Sequence, residues 1–397
     1  MRVLHVITRL IIGGAQENTI ASVLGLRLKD GLDVRLLSGP TVGPEGSLES
    51  EFAAAPDALE VIPDLTRPVH PWKDWRALRR LGREFQRWRP DIVHTHSGKA
   101  GILGRLAAAR AQVPIILHTI HGPSFGPFQS PPANWLFRSA ERHASKVTSH
   151  FVAVADAMTR QYLAAGIGQP GQYTTIRSGF SLAPYLSAAN DPTLRAKWGL
   201  APDDFVVGKI ARLFKLKGHD DLFAIAPELV SKCPRMKFLL IGDGPWRGRF
   251  ERRTAALRLQ KHFVFTGLVT PREIPGMIGI MDAVIHLSRR EGLPRALPQS
   301  LAAGKPVAAY DCDGAGEVCV QDETGFLISP GDLAGLARSL LRLAEDSGLR
   351  ERLGRRGREL VQAQFGIEKM VDDLYALYRR LADRRRPSSG NPQPACP

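Results

Sequence analysis

Arg212 and Lys217 stand in one short stretch, Ala211 to Gly218, directly after the apolar run Phe205 to Ile210. Arginine with lysine is the usual clamp on a diphosphate, and a cation just past the carboxyl end of a parallel strand lies where such sheets take ligands. A solvated basic loop has the same composition, so this segment alone leaves both readings open. The stretch Ser288 to Val307 is richer. Glu291-Gly292-Leu293 follows the apolar run Ala283 to Leu287 and precedes a helical segment, whose first amides can face an anion. Glu291 also suits an ordinary helix start. Gln299, further along, carries an amide that both donates and accepts hydrogen bonds to hydroxyls.

Three loops with close-approach residues add to this set. Gly13-Gly14-Ala15-Gln16 opens a helix after the run Val3 to Ile7, although the three-glycine dinucleotide spacing is absent. Gly242 begins Gly242-Asp243-Gly244-Pro245, and Leu268 lies in Thr266-Gly267-Leu268-Val269. Their backbone groups could meet a ligand, and plain turns would look the same. In the first half of the chain, His118-Thr119-Ile120-His121-Gly122 ends one apolar run and His94-Thr95-His96-Ser97 ends another. His121 is the candidate for the edge and His118 its competitor; a lone histidine at a strand end is more often a structural hydrogen-bonder. These imidazoles lie on separate strands without carboxylate or cysteine ligands at metal spacing, so no metal and no cofactor is expected.

The elements that must position these residues follow a simple order. Val3 to Ile7, Val34 to Leu37, Ile92 to His96, Ile115 to Thr119 and Phe151 to Val154 are short apolar runs separated by helical stretches, which predicts a parallel α/β sheet covered on both faces. The alternation restarts with Phe205 to Ile210, Phe238 to Ile241, Phe263 to Phe265, Ala283 to Leu287 and Val307 to Ala309. The expected division is a first domain at 1–182, a second at 193–381 and an unordered tail at 384–397, with the connection in Ser178 to Pro192. The closing helices, Lys369 to Leu381 included, are expected to complete the second domain.

A chain of 397 residues with 44% hydrophobic and 23% charged residues is that of an ordinary two-domain globular protein. Its opening apolar run is interrupted by His5, Thr8 and Arg9, and Cys233, Cys312, Cys319 and Cys396 form no framework, so a cytoplasmic protein is expected. The net charge of +15 attracts something acidic without naming it. From Trp72 to Trp88, Trp75, Leu78, Leu81, Phe85 and Trp88 recur at helical spacing among Lys73, Arg76, Arg79, Arg80, Arg83 and Arg87. The apolar face is expected to cover the first sheet, and the basic face to attract an anionic membrane on its inner side. Nucleic acid is not expected, because no stacking platform accompanies the charge.

Gly13-Gly14-Ala15, Arg212 with Lys217-Gly218, and Glu291-Gly292 leading to Gly304-Lys305-Pro306-Val307 together resemble the family 4 glycosyltransferases, from Met1 to about Leu381. The resemblance implies the GT-B fold, two Rossmann-like α/β domains whose parallel sheets face a shared cleft, and a retaining, metal-independent transfer from a nucleotide-sugar donor. It implies that Arg212 and Lys217 hold the donor diphosphate, that Glu291 lies by the donor sugar, that His121 contacts the transferred sugar, and that Gly13, Gly14, Gly242, Leu268, Gly292, Leu293 and Gln299 line the donor site. His96 and His118 are assigned to the acceptor side. The family has a second Glu where this chain has Gln299, which keeps hydrogen bonding to ribose hydroxyls but removes the charge. The expected reaction moves a hexosyl or N-acetylhexosaminyl group from a UDP-sugar, less readily a GDP-sugar, to a hydroxyl of a lipid-linked or saccharide acceptor. The alternatives are an epimerase or phosphorylase of the same fold, a transferase that binds donor without turnover, and a basic protein that binds nucleic acid or anionic surfaces.

Overall fold

The computed structural model describes residues 1–42 and 46–385; the expected tail lies outside the described residues from 386 onward. The chain forms two compact units. The first is built on seven parallel strands: β1 (Arg2–Ile7), β2 (Asp33–Ser38), β3 (Leu59–Val61), β4 (Ile92–His96), β5 (Ile115–Ile120), β6 (His150–Ala153) and β7 (Tyr173–Thr175). Their spatial order is β3-β2-β1-β4-β5-β6-β7. The second unit holds β8 (Phe205–Ile210), β9 (Met236–Ile241), β10 (Phe263–Gly267), β11 (Ala283–His286), β12 (Val307–Tyr310) and β13 (Gly325–Ile328), in the order β10-β9-β8-β11-β12-β13. These too are all parallel. Each sheet therefore reverses its winding once, between β1 and β4 and between β8 and β11, and a crevice opens at the carboxyl ends of strands at such a point.

The strands run apolar almost throughout because both faces are covered by helices. In β1, Val3 and Ile7 join one buried cluster while Leu4 and Val6 join the other, the period-two alternation of a strand. The predicted strands are present, and the expected helices with them. Three short edge strands, β3, β7 and β13, and the helices Pro131–Ser145 and Ile274–Gly279 were not foreseen.

The domain boundaries differ from expectation. The first unit comprises Met1–Ala153, Tyr162–Ile176 and the chain from Ile367 onward; the second comprises Val154–Gln161 and Arg177–Gly366. The helix Ile367–Asp383 thus completes the first unit, not the second. Its Met370, Val371, Leu374, Leu377, Tyr378 and Leu381 pack with Val3, Ile7, Val23 and Val34 in one cluster. Spacing every three or four residues shows which face of a helix is buried, not which sheet buries it. The connection expected at Ser178 to Pro192 belongs to the second unit and contains a short helix, Ala183–Leu186.

The basic helix, Pro71–Trp88, also departs in part from its expected role. Ala77, Leu81 and Phe85 are buried on the first sheet, but Trp75 is 45% exposed and Trp72 65%. The two indoles stack at 5.1 Å and the Arg79 guanidinium lies 4.7 Å over the Trp75 ring. No helix among the described residues is long and apolar enough to cross a membrane.

Candidate active site

In the second unit, β8 ends at Ile210 and the loop to the helix His219–Lys232 carries the two predicted cations. Arg212 is exposed, its guanidinium 5.3 Å over the Phe214 ring. Lys217 is half-buried and its ammonium is paired with the Glu291 carboxylate. The loop is tight because Gly218 adopts φ +66 and its Cα faces the Leu287 carbonyl: a Cβ there would stand 2.1 Å from that oxygen. This brings the end of β8 against the end of β11, the point of reversal in the sheet, and puts Lys217 and Glu291 together from opposite sides of it.

Glu291 is anchored by its own backbone, whose N–H donates to Asp313 Oδ2 at 2.6 Å, while Gly314 N–H donates to the Gly292 carbonyl at 2.9 Å. Burial would raise the Glu291 carboxyl, but the Lys217 ammonium paired with it outweighs this and holds the group below its ordinary value. The acid is therefore ionised at neutral pH. His286 on β11 is buried, with Nε2 3.8 Å from Glu291 Oε1 and no hydrogen-bond partner for that nitrogen among the described residues. Burial, with Lys209 and Lys217 nearby, pushes His286 down to about 3 against the opposing pull of Glu291, so it is neutral.

The remaining donor-side candidates are spread along the same carboxyl edge. Gly242 adopts φ +129, where a Cβ would meet the Ala211 carbonyl at 2.4 Å, and its N–H donates to Gly267 at 3.0 Å, tying the ends of β9 and β10 together. Leu268, next to that bond, is 71% exposed. Gly292 and Leu293 are buried in the loop, and Gln299 is half-buried on the helix Ala296–Ala302. In the first unit Gly13 and Gly14 begin the helix Gly14–Arg27 after β1.

The two competing histidines are placed differently. His118 is buried on β5, hydrogen-bonded to Thr95 Oγ1 at 2.9 Å, and covered by Gly101 of the helix Gly98–Arg110, where a Cβ would meet its ring at 2.4 Å. The expectation that it lines the acceptor side is corrected: its ring is 2% exposed and lies packed beneath Gly101 of that helix. His121, just past β5, is half-buried, and His96 Nδ1 pairs with its Nε2 at 3.0 Å. His96 itself is enclosed and reaches the edge only through His121.

Sequence reasoning missed Lys209, His5 and Tyr378. Lys209 is buried on β8 and burial, with Lys217 beside it, pushes it down to about 7 against Asp221 and Glu291. The signal was present, one lysine inside the apolar run Phe205 to Ile210. His5 and Tyr378 lie far apart in sequence, and nothing in the sequence joins them. His5, His94 and His96 offer ring nitrogens within 4.8 Å of one another, a separation at which a metal ion could be held. Each of those nitrogens is instead taken up by hydrogen bonds to the others, to Tyr378, Thr119 or His121.

Two family models match consecutive parts of the chain. Residues 13–179 match the glycosyl transferase 4-like domain and residues 190–360 the glycosyl transferases group 1. The chain belongs to the family 4 glycosyltransferases of the GT-B fold. Among relatives of this glycosyltransferase, the UDP-Gal:alpha-D-GlcNAc-diphosphoundecaprenol alpha-1,3-galactosyltransferase of Escherichia coli is 28% identical, over 80% of this chain and 82% of that protein. The capsular polysaccharide biosynthesis glycosyltransferase CapM of Staphylococcus aureus is 24% identical, over 81% of this chain and 85% of CapM. Anabaena HepE in complex with UDP and glucose superposes with a TM-score of 0.79 at 22% identity, over 96% of this chain and 99% of HepE. The fold is thus GT-B, and the enzyme transfers a sugar.

Proposed function

We propose that this glycosyltransferase takes a hexosyl or N-acetylhexosaminyl group from a UDP-sugar, with retention of configuration, and passes it to a hydroxyl of a lipid-linked or saccharide acceptor. The observation that carries the donor site is the Lys217–Glu291 pair at the reversal of the second sheet. The bond from the anomeric carbon to the diphosphate oxygen breaks, a bond to the acceptor oxygen forms, and the acceptor proton leaves to the released diphosphate or solvent. Arg212 and Lys217 neutralise the charge that develops on the leaving diphosphate, the role a metal ion would otherwise take, and the reaction is proposed to need none. Glu291 lies by the donor sugar, Gln299 bonds the ribose hydroxyls, and His121 meets the transferred sugar. The E. coli relative acts on a UDP-sugar and a diphosphoundecaprenol acceptor by its name, and HepE was solved with UDP; both support the choice of donor.

Calorimetric titration with UDP tests the site. Lys217→Ala and Arg212→Ala are each expected to weaken UDP binding about 10- to 100-fold, the range for one charge-assisted hydrogen bond. Unchanged affinity in both variants overturns the donor assignment. A panel of UDP-, GDP-, ADP- and TDP-sugars assayed for transfer then fixes the donor.

We further propose peripheral contact with an anionic membrane through the helix Pro71–Trp88. The stacked Trp72 and Trp75 are exposed next to Lys73, Arg76 and Arg79, the pairing of interfacial aromatic and basic residues that suits a headgroup layer. Flotation with phosphatidylglycerol vesicles at low salt is expected to carry the protein, and Trp72→Ser with Trp75→Ser to abolish it; no flotation of the unaltered chain sinks the proposal.

A further inference from the structure

Six side chains of the first unit form one unbroken hydrogen-bonded chain beneath the carboxyl edge of its sheet. Thr119 Oγ1 meets His94 Nε2 at 2.6 Å, and His94 Nδ1 meets the Tyr378 hydroxyl at 2.5 Å. That hydroxyl meets His5 Nε2 at 3.2 Å, His5 Nδ1 meets His96 Nε2 at 2.9 Å, and His96 Nδ1 meets His121 Nε2 at 3.0 Å. The rings of His5 and His96 stack at 5.1 Å, and those of His94 and His96 at 4.5 Å. Every member except His121 is buried.

Proton bookkeeping leaves this chain three arrangements in which every link carries a proton. A neutral imidazole carries one N–H and one bare nitrogen, so each imidazole fixes the direction of the next link, while a hydroxyl either passes its one proton on or accepts from both sides. Either all protons point from Thr119 toward His121, or all point back, or His94 and His5 both donate to the Tyr378 oxygen, whose own proton then has no acceptor among the described residues. In the outward arrangement Thr119 donates to His94, His94 to Tyr378, Tyr378 to His5, His5 to His96 and His96 to His121 Nε2; His121 then carries its own proton on Nδ1. In the inward arrangement His121 Nδ1 is bare, and the buried Thr119 hydroxyl accepts from His94 while its proton has no acceptor among the described residues. A buried donor without a partner is disfavoured, so the outward arrangement prevails. Burial, and mutual repulsion among the rings, keep His94 and His96 well below their ordinary value, and burial does the same for His5 and His121, both held at about 3; no member is charged near neutrality.

We infer that Thr119, His94, Tyr378, His5 and His96 are positioning residues that lock His121 as a neutral hydrogen-bond donor through Nδ1 toward the ligand. The helix Ile367–Asp383 supplies a middle link, so an element far along the chain sets the tautomer of a residue three links away. The functional consequence rests on the proposed contact of His121 with the transferred sugar; the tautomer itself does not.

Nitrogen-15 NMR of histidine-labelled protein, with His121 assigned by the His121→Asn spectrum, tests it. The expected result is one neutral His121 species protonated at Nδ1. Tyr378→Phe, which removes only the hydroxyl, and Thr119→Val are each expected to give a mixture of both tautomers, with thermal melts confirming that the variants fold. Tyr378→Phe is also expected to lower kcat/KM for the donor sugar roughly tenfold, the size of one hydrogen bond, with UDP affinity unchanged. A wild-type His121 protonated at Nε2, or variants that keep the single wild-type tautomer, would overturn the relay. Stoichiometric zinc binding that shifts the His5, His94 and His96 signals would overturn it too, making those rings metal ligands. His121→Asn with undiminished transfer would remove the sugar contact while leaving the NMR result standing, which separates the two failures.

Discussion

Acidification from pH 7.5 to 5.5 should destabilise the first unit through its imidazoles alone. His5 and His121 are held at about 3 and His150 at about 4, each chiefly by burial, and His94, His96 and His118 well below their ordinary value, again chiefly by burial. The folded pKa is depressed in every case, so the unfolded chain binds more protons below about 6.5 and stability falls as pH falls. Between the two pH values His5, His121 and His150 protonate almost only in the unfolded chain, which costs the folded state on the order of 1 kcal/mol for each. The three together amount to roughly 4 kcal/mol, and His94, His96 and His118 act in the same direction, against the ~5–15 kcal/mol that holds a domain together. Ordinary carboxylates titrate below this window and do not contribute. Urea unfolding followed at half-unit pH steps measures the slope, and His118→Gln should make it shallower. A midpoint that stays level between pH 7.5 and 5.5 would refute the reasoning, since it would mean that these rings accept protons in the folded state.

Other perturbations test other parts of the fold. Arg105 and Glu141 form an enclosed ion pair at 2.6 Å, both side chains 0% exposed. Glu141→Ala strands the guanidinium and should cost about 3–5 kcal/mol in urea denaturation, whereas Arg105→Met with Glu141→Leu should recover most of it. Gly218→Ala forces a side chain into a left-handed backbone position against the Leu287 carbonyl, so a lower melting temperature and weaker UDP binding are expected together. Leu374→Ala on the last helix removes a side chain that is 3% exposed and should cost about 2–5 kcal/mol. Hydrogen exchange should then quicken in β1 and β2; quickening confined to β8 and β9 would contradict the assignment of that helix to the first unit.

Much of the second unit was legible in the chain itself. Its strands are short apolar runs broken by helices, and Arg212, Lys217, Glu291 and Gly292 all stand just past such runs, so the covalent order already put them at one edge of a parallel sheet. A strand's direction and its period-two alternation are local properties, set by backbone geometry and by burial on two faces. Lys209 was legible in the same way, as a charge inside an apolar strand.

Tertiary structure alone decided the rest. It returned Ile367–Asp383 to the first sheet, left Trp72 and Trp75 uncovered, enclosed the Arg105–Glu141 pair, and packed His118 beneath Gly101 while joining His121 through His96 and His5 to Tyr378. The physical reason is common to all four. Sequence periodicity specifies that a face must be buried or that a polar group must find a partner, but the identity of the partner depends on which elements become neighbours. Neighbours hundreds of residues apart are chosen by the packing of the whole sheet.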